Sequence, residues 1–200
     1  MMGTPAAAFA RLLEVLDRLE IRYQVGGSVA SSSHGIPRTT LDIDLIVDLK
    51  PDQIESFTAD LGNEFYADPV LIREAFLDRR AANLIHLGTA WKFDLFPLQD
   101  DEYSRVEFAR RSFREIRPDG REAIECPVAS AEDTILRKLE WYRAGGEVSE
   151  RQWNDIVGVL RATAAQLDIV YLRRWAAYLK VEYLLERLLD EQQNLQKSNR

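Results

Sequence analysis

Cysteine is nearly missing from this chain. Cys126 stands alone among 200 residues, so no internal disulfide can form, and a reducing compartment, the cytoplasm, is expected. Long apolar runs are missing too: none approaches the roughly 18 residues of a membrane span. The opening Met1-Met2-Gly3-Thr4-Pro5-Ala6 lacks the basic-then-apolar order of a signal peptide, so none is expected. Positive charge runs short. Lys and Arg number 26 against 33 Asp and Glu, and the net −7 argues against a broad nucleic-acid surface while leaving room for a small arginine groove. Histidine is scarce, and neither His34 nor His86 belongs to a pattern that suggests zinc.

What is present suits one globular core with a helical extension, since 46% of the residues are hydrophobic. The organisation expected is an α/β core over 1–128 followed by a helical region over 129–200 packed on it. Phe9, Leu12, Leu13, Leu16 and Leu19 recur at helical spacing behind Thr4-Pro5, which predicts a helix over 5–20. Arg22–Val25 reads as a short strand running into Gly26-Gly27, Ser28–His34 as one or two helical turns, and Gly35–Arg38 as a loop. Strands are expected at 41–48, 83–87, 91–96, 113–117 and 122–126, the last two joined through Asp119-Gly120. Helices are expected at 51–61, opened by Pro51, and at 70–77. From Ser130 the pattern turns helical: Ser130 with Asp133 and Ser149 with Gln152 form capping signals, Gly145-Gly146 separates the two helices, and two more segments follow at 168–180 and 182–195, with a frayed polar tail over 196–200.

The chemistry concentrates between Gly26 and Asp94. Glycines at a strand end let backbone approach a phosphate, and a helix starting at Ser28 would add free N–H groups and a hydroxyl; the same residues also make an ordinary capped turn. Asp42 and Asp44 interrupt an apolar strand at i and i+2, so they share one face while Leu41, Ile43, Leu45 and Val47 share the other. Two acids side by side call for a cation. They either hold a divalent metal through hard oxygens, pair with Arg38, or face water at a sheet edge. Asp94 repeats the pattern between Phe93 and Leu95. If its strand lies beside the first, three carboxylates converge, an arrangement suited to two metal ions and phosphoryl chemistry, with Asp94 placed to take a proton from an attacking hydroxyl.

Val25-Gly26-Gly27-Ser28, then Asp42-Ile43-Asp44, then Asp94 resembles the nucleotidyltransferase superfamily typified by DNA polymerase β. The stretch from Val25 to Asp44, with Gly35-Ile36-Pro37-Arg38-Thr39-Thr40 inside it, is most similar to the small bacterial branch that includes the AbiE-type toxin nucleotidyltransferases of toxin–antitoxin systems. The resemblance covers roughly residues 20–160. It implies an α+β fold, a nucleotidyltransferase-like mixed sheet with flanking helices followed by a C-terminal helical region. It implies transfer of a nucleoside monophosphate from an NTP to a hydroxyl of an RNA 3′ end, a protein or a small molecule. Asp42, Asp44 and Asp94 would be catalytic and bind two Mg²⁺ ions, or Mn²⁺. Gly27, Ser28, Arg38, Thr39, Lys138 and Asp155 would bind the nucleotide, with a cognate toxin or antitoxin as a possible partner and no membrane involved. The competing class is a non-catalytic module of the same fold that binds a protein partner.

Overall fold

This computed structural model describes residues 3–35, 40 and 42–198. The chain divides into two compact units, Met1–Val29 with Thr39–Val128 and Ala30–Arg38 with Ala129–Arg200.

The first unit is built on a mixed sheet. Its strands are β1 (Tyr23–Val25), β2 (Asp42–Val47), β3 (Phe65–Tyr66), β4 (Ala82–His86), β5 (Trp91–Pro97), β6 (Ser112–Ile116) and β7 (Ile124–Val128), ordered β3-β4-β5-β2-β1-β7-β6. Two pairings are parallel, β2 with β5 and β1 with β7; the other four are antiparallel. The helices are α1 (Pro5–Arg18), α3 (Ile54–Leu61), α4 (Pro69–Leu77) and α5 (Glu102–Arg110), while α2 (Gly27–His34) leaves the end of β1.

The core follows from the two periodicities. Thr4 caps α1 by accepting from the Ala7 N–H, and Pro5 fills the first turn, where its missing N–H costs nothing. Phe9, Leu12, Val15 and Leu16 are then fully buried. Along β2 and β5 the alternate residues Ile43, Leu45, Phe93 and Leu95 are equally buried, and Phe9 stacks on Phe93 with ring centroids 6.0 Å apart. The apolar face of the sheet and the apolar stripe of α1 thus form one layer, leaving Asp42, Asp44, Lys92 and Asp94 on the opposite face of β2 and β5, with Ile46 and Phe96 farther along it.

The second unit is helical: α6 (Ala131–Ala144), α7 (Glu150–Thr163), α8 (Ile169–Leu179) and α9 (Glu182–Ser198). The side chains of Ser130, Ser149 and Asp168 cap the first three by accepting from Asp133, Gln152 and Tyr171 N–H groups. Lys180 takes a left-handed backbone at the end of α8 and turns the chain into α9. Ile135, Leu139, Ile156, Leu172, Leu185 and Leu188 form the core of this bundle.

The expected α+β fold class is the observed one, and most boundaries fall within a few residues of those read from the pattern. Four differ. The helix expected from Pro51 begins at Ile54, because residues 51–53 close a turn in which the Gln53 side chain accepts from the Lys50 N–H and the Gln53 N–H donates to the Lys50 carbonyl. Helix α5 was not expected; its buried side includes Ser104 and Glu107 alongside Tyr103 and Phe108, so it carries no apolar stripe. Strand β3, two residues long, is too short for alternation to register. The last helix continues to Ser198 instead of fraying from residue 196. Leu41 and the loop residues Ile36–Arg38 lie outside the described residues.

Candidate functional site

Strand register assembles the polar face. In the antiparallel pairing of β1 with β2, Val25 is opposite Leu45, and the next N–H, that of Gly26, donates to the Asp44 carbonyl at 2.9 Å. The glycine turn is therefore stitched beside Asp44. In the parallel pairing of β2 with β5, Asp42 is opposite Lys92 and Asp44 is opposite Asp94. On the far side of β5, Asn83 of β4 is opposite Asp94. Because alternate residues share a face, Asp42, Asp44, Lys92, Asp94 and Asn83 lie together on the side away from Phe93.

Gly27 meets this face at very short range. It has φ +54°, and a methyl group placed on it would stand 1.7 Å from Asp44 Oδ2 and 2.5 Å from Asp44 Cγ. Only glycine tolerates both the left-handed backbone and that approach. Ser28 follows in the first turn of α2, and its side chain is half-buried.

Asp42 and Asp94 have defined partners. Asp42 Oδ1 accepts from Thr40 Oγ1 at 2.5 Å. Asp94 is 9% exposed; its Oδ1 accepts from Asn83 Nδ2, and its Oδ2 lies 2.8 Å from Lys92 Nζ. The hydrogen bond that Lys92 donates to Asp94 raises the Lys92 pKa above its ordinary value; burial opposes this, and the charges of Asp94, Asp42 and Asp44 add to the rise. Lys92 is thus the cation paired with Asp94, across the strand from Asp42. Carboxylate oxygens on one face are suitable donors for Mg²⁺ or Mn²⁺. As arranged, both oxygens of Asp94 are engaged by Asn83 and Lys92, and among the described residues no group of three or more His, Cys, Asp or Glu is placed to hold a metal ion. The donor types fit a divalent cation.

No family model matches the sequence, and no curated protein does. Solved structures do. An antigenic nucleotidyltransferase-like protein from Paracoccidioides brasiliensis superposes with a TM-score of 0.53 at 14% identity, over 95% of this chain and 90% of the other. The fold is nucleotidyltransferase-like. Weaker likenesses are to the antibiotic-resistance factor ANT(2″)-Ia in complex with adenylyl-2″-tobramycin (TM-score 0.46, 14% identity, 88% and 96% coverage) and to lincomycin-bound lincosamide adenylyltransferase LnuA (TM-score 0.45, 16% identity, 78% and 96% coverage).

Within this nucleotidyltransferase-like fold, the remaining candidates separate. Arg38 and Thr39 lie outside the described residues. Lys138 of α6 and Asp155 of α7 belong to the helical unit, where Lys138 Nζ donates to Asp155 Oδ2 at 2.9 Å with both side chains 12% exposed. His86 points to the apolar side of the sheet, edge-on to Phe65 and bonded to Thr89, so it does not share a face with Asp94. Trp153 and Trp175 are buried, whereas Trp141 is half exposed. Tyr171 is tied to Asp133 by its hydroxyl, and Arg173 pairs with Glu186, which leaves that segment structural. A cavity of about 500 Å³ lined by Arg22, Tyr23, Arg111 and Phe113 opens by the start of β1, at the opposite strand end from Gly26. The sequence alone singles out neither Lys92 nor Asn83. The signal for Lys92 was its i, i+2 spacing to Asp94; Asn83 needed the β4–β5 register.

Proposed function

We propose that the protein is a metal-dependent nucleotidyltransferase that moves a nucleoside monophosphate from an NTP to a hydroxyl acceptor. The observation that carries this reading is the register pair Asp44–Asp94, with Asp42 on the same face and Gly27 pressed against Asp44. Acids of adjacent strands and a side-chain-free turn together suit a triphosphate and its counter-ions.

Asp42, Asp44 and Asp94 are the residues that would hold Mg²⁺ or Mn²⁺, as two ions. When bound, these supply positive charge to the triphosphate and to the oxygens that gain charge in the transition state. Gly27 and Ser28 contribute the N–H groups of the first turn of α2 to the phosphates, and Ser28 adds its hydroxyl. Asp94 accepts the proton of the acceptor hydroxyl. That oxygen bonds to the α-phosphorus, the bond from the α-phosphorus to its bridging oxygen breaks, and pyrophosphate leaves. Asn83 holds one oxygen of Asp94 and so orients the other. Arg38, Thr39, Lys138 and Asp155 enter this reading as nucleotide-binding residues on the strength of the resemblance, as does a toxin–antitoxin setting. The acceptor is an RNA 3′ end, a protein or a small molecule.

The test uses labelled NTPs, Mg²⁺ and a cell lysate as the acceptor source. Label should enter one of the three acceptor classes with the native chain and be lost with Asp42→Asn. Equal incorporation by the folded Asp42→Asn variant would overturn the assignment. One observation favours a second reading, a non-catalytic module of the same fold: both Asp94 oxygens are satisfied internally. That reading expects no rise in melting temperature with any NTP plus Mg²⁺, whereas an enzyme that binds its nucleotide must be stabilised by it.

A further inference from the structure

The cavity beside β1 lies wholly within the first unit, and its volume of about 500 Å³ is that of a small-ligand site. Arg111, in its wall, follows the last residue of α5 and is partly buried. Its Nη1 donates to the Phe108 carbonyl, and its guanidinium carbon lies 4.2 Å from the centroid of the Phe108 ring. The remaining N–H groups of the guanidinium have no partner among the described residues. Arg22, also in the wall, reaches the same ring at 5.8 Å. Burial lowers the Arg111 pKa, the charge of Arg22 adds to the fall, and the charge of Asp48 opposes it. Asp48 is itself bonded to Arg22 and Lys50, so Arg111 is left without an ion-pair partner. A partly withdrawn guanidinium beside a second one favours an incoming anion.

The rest of the wall states what the anion is attached to. Phe113 of β6 is opposite Pro127 of β7, so the two share a face, and both line the cavity. The Phe113 ring is 68% exposed, a flat apolar surface that gains by being covered. Asp17 and Glu20 also border the cavity, and both are exposed. Asp17 accepts a hydrogen bond from the Tyr23 hydroxyl. Neither acid is among the charges that act on Arg111, so the acids and the free guanidinium stand apart, and a second anionic group near the acids would be repelled. We propose that this cavity binds a small molecule with one oxyanion, a carboxylate or a phosphate monoester, on a flat apolar body. The oxyanion sits on Arg111, whose planar fork suits either head group, and the body lies against Phe113 and Pro127.

The experiment titrates the full chain by calorimetry, in EDTA so that no metal-held phosphate contributes, with phenyl phosphate, benzoate, terephthalate and inorganic phosphate. Phenyl phosphate or benzoate should bind, and the tighter of the two identifies the head group. Terephthalate should bind more weakly than benzoate, and inorganic phosphate more weakly than phenyl phosphate. Arg111→Met should weaken the better probe about tenfold or more, and Arg111→Lys should recover only part of the loss. Phe113→Ser should weaken the same probe severalfold and leave inorganic phosphate unchanged. Asp48→Asn releases Arg22 and Lys50 from their carboxylate and should tighten binding severalfold, which a purely structural role for Arg111 at the end of α5 does not predict. No binding of either aromatic probe at millimolar concentration would overturn the proposal, as would native affinity in folded Arg111→Met or equal affinity for phenyl phosphate and inorganic phosphate. Should Arg111→Met fail to fold, the other two variants decide: native affinity in both Phe113→Ser and Asp48→Asn rules the site out.

Discussion

Gly27 is the residue on which the polar face depends most directly. Its left-handed backbone costs any L side chain roughly 1–2 kcal/mol, and its Cα lies against the Asp44 carboxylate. Gly27→Ala should therefore destabilise the first unit by at least about that amount in urea unfolding, and should also push Asp44 out of line with Asp94. Loss of NTP-dependent stabilisation beyond the loss of fold stability would separate the two effects. Cys126 illustrates the opposite case, a reactive residue type with nothing to do. It is fully buried in β7, and burial, with Glu125 adding to the effect, pushes its thiol up to about 12. It should resist maleimide at pH 8 in the folded protein and label readily in denaturant. Since its folded pKa is raised, its contribution to stability is present below the ordinary thiol value and is lost progressively as pH rises from there through about 12.

At the scale of elements, caps and alternation carried the reading a long way. Thr4-Pro5, Ser130 and Ser149 each open a helix as their side chains demand, because a cap is satisfied within three residues. Helix α5 escaped because its inward side is part polar, and the period of a helix shows in a sequence only when apolar residues mark it. The Lys138–Asp155 pair joins α6 to α7, and both groups are largely withdrawn from water. Asp155→Ala strands the ammonium and should cost about 1–3 kcal/mol. Lys138→Met combined with Asp155→Leu should recover much of that loss, because a well-packed apolar pair needs no desolvation compensation. Equal destabilisation by single and double variants in thermal unfolding would argue that the pair has no coupling.

At the scale of the whole molecule, acid stability should track Asp48. Burial raises its carboxyl, but hydrogen bonds from Lys50 and Arg22 outweigh this and hold it below the ordinary 3.8. A depressed folded value means that the stabilisation is present above pH 3.8 and fades as pH falls through the folded value. Asp48→Asn should thus destabilise by about 1 kcal/mol or less at pH 7, given how exposed both cations are, and the difference should shrink in urea titrations as pH is taken below 3.8. Among the described residues no helix is long and apolar enough to cross a membrane, in line with the lack of apolar runs.

The sequence by itself determined whatever is decided within one turn or one pleat. It put Asp42 and Asp44 on one face, opposite Ile43 and Leu45, because side chains alternate in any strand. It put a glycine turn directly after β1 and started the helices where caps occur. Tertiary structure decided which strands are neighbours. Asp44 and Asp94 are fifty positions apart, and nothing local says that β5 pairs with β2 in parallel at that register; burial of Phe93 and Leu95 beside Ile43 and Leu45 selects it, since a slip of one residue would turn the apolar side chains of the slipped strand to the other face. The same register brought Lys92 and Asn83 to Asp94, and the β1–β2 pairing pressed Gly27 onto Asp44. The acids and the glycines were legible as types, and the cation already among them was not, because its meaning depends on what stands across the strand.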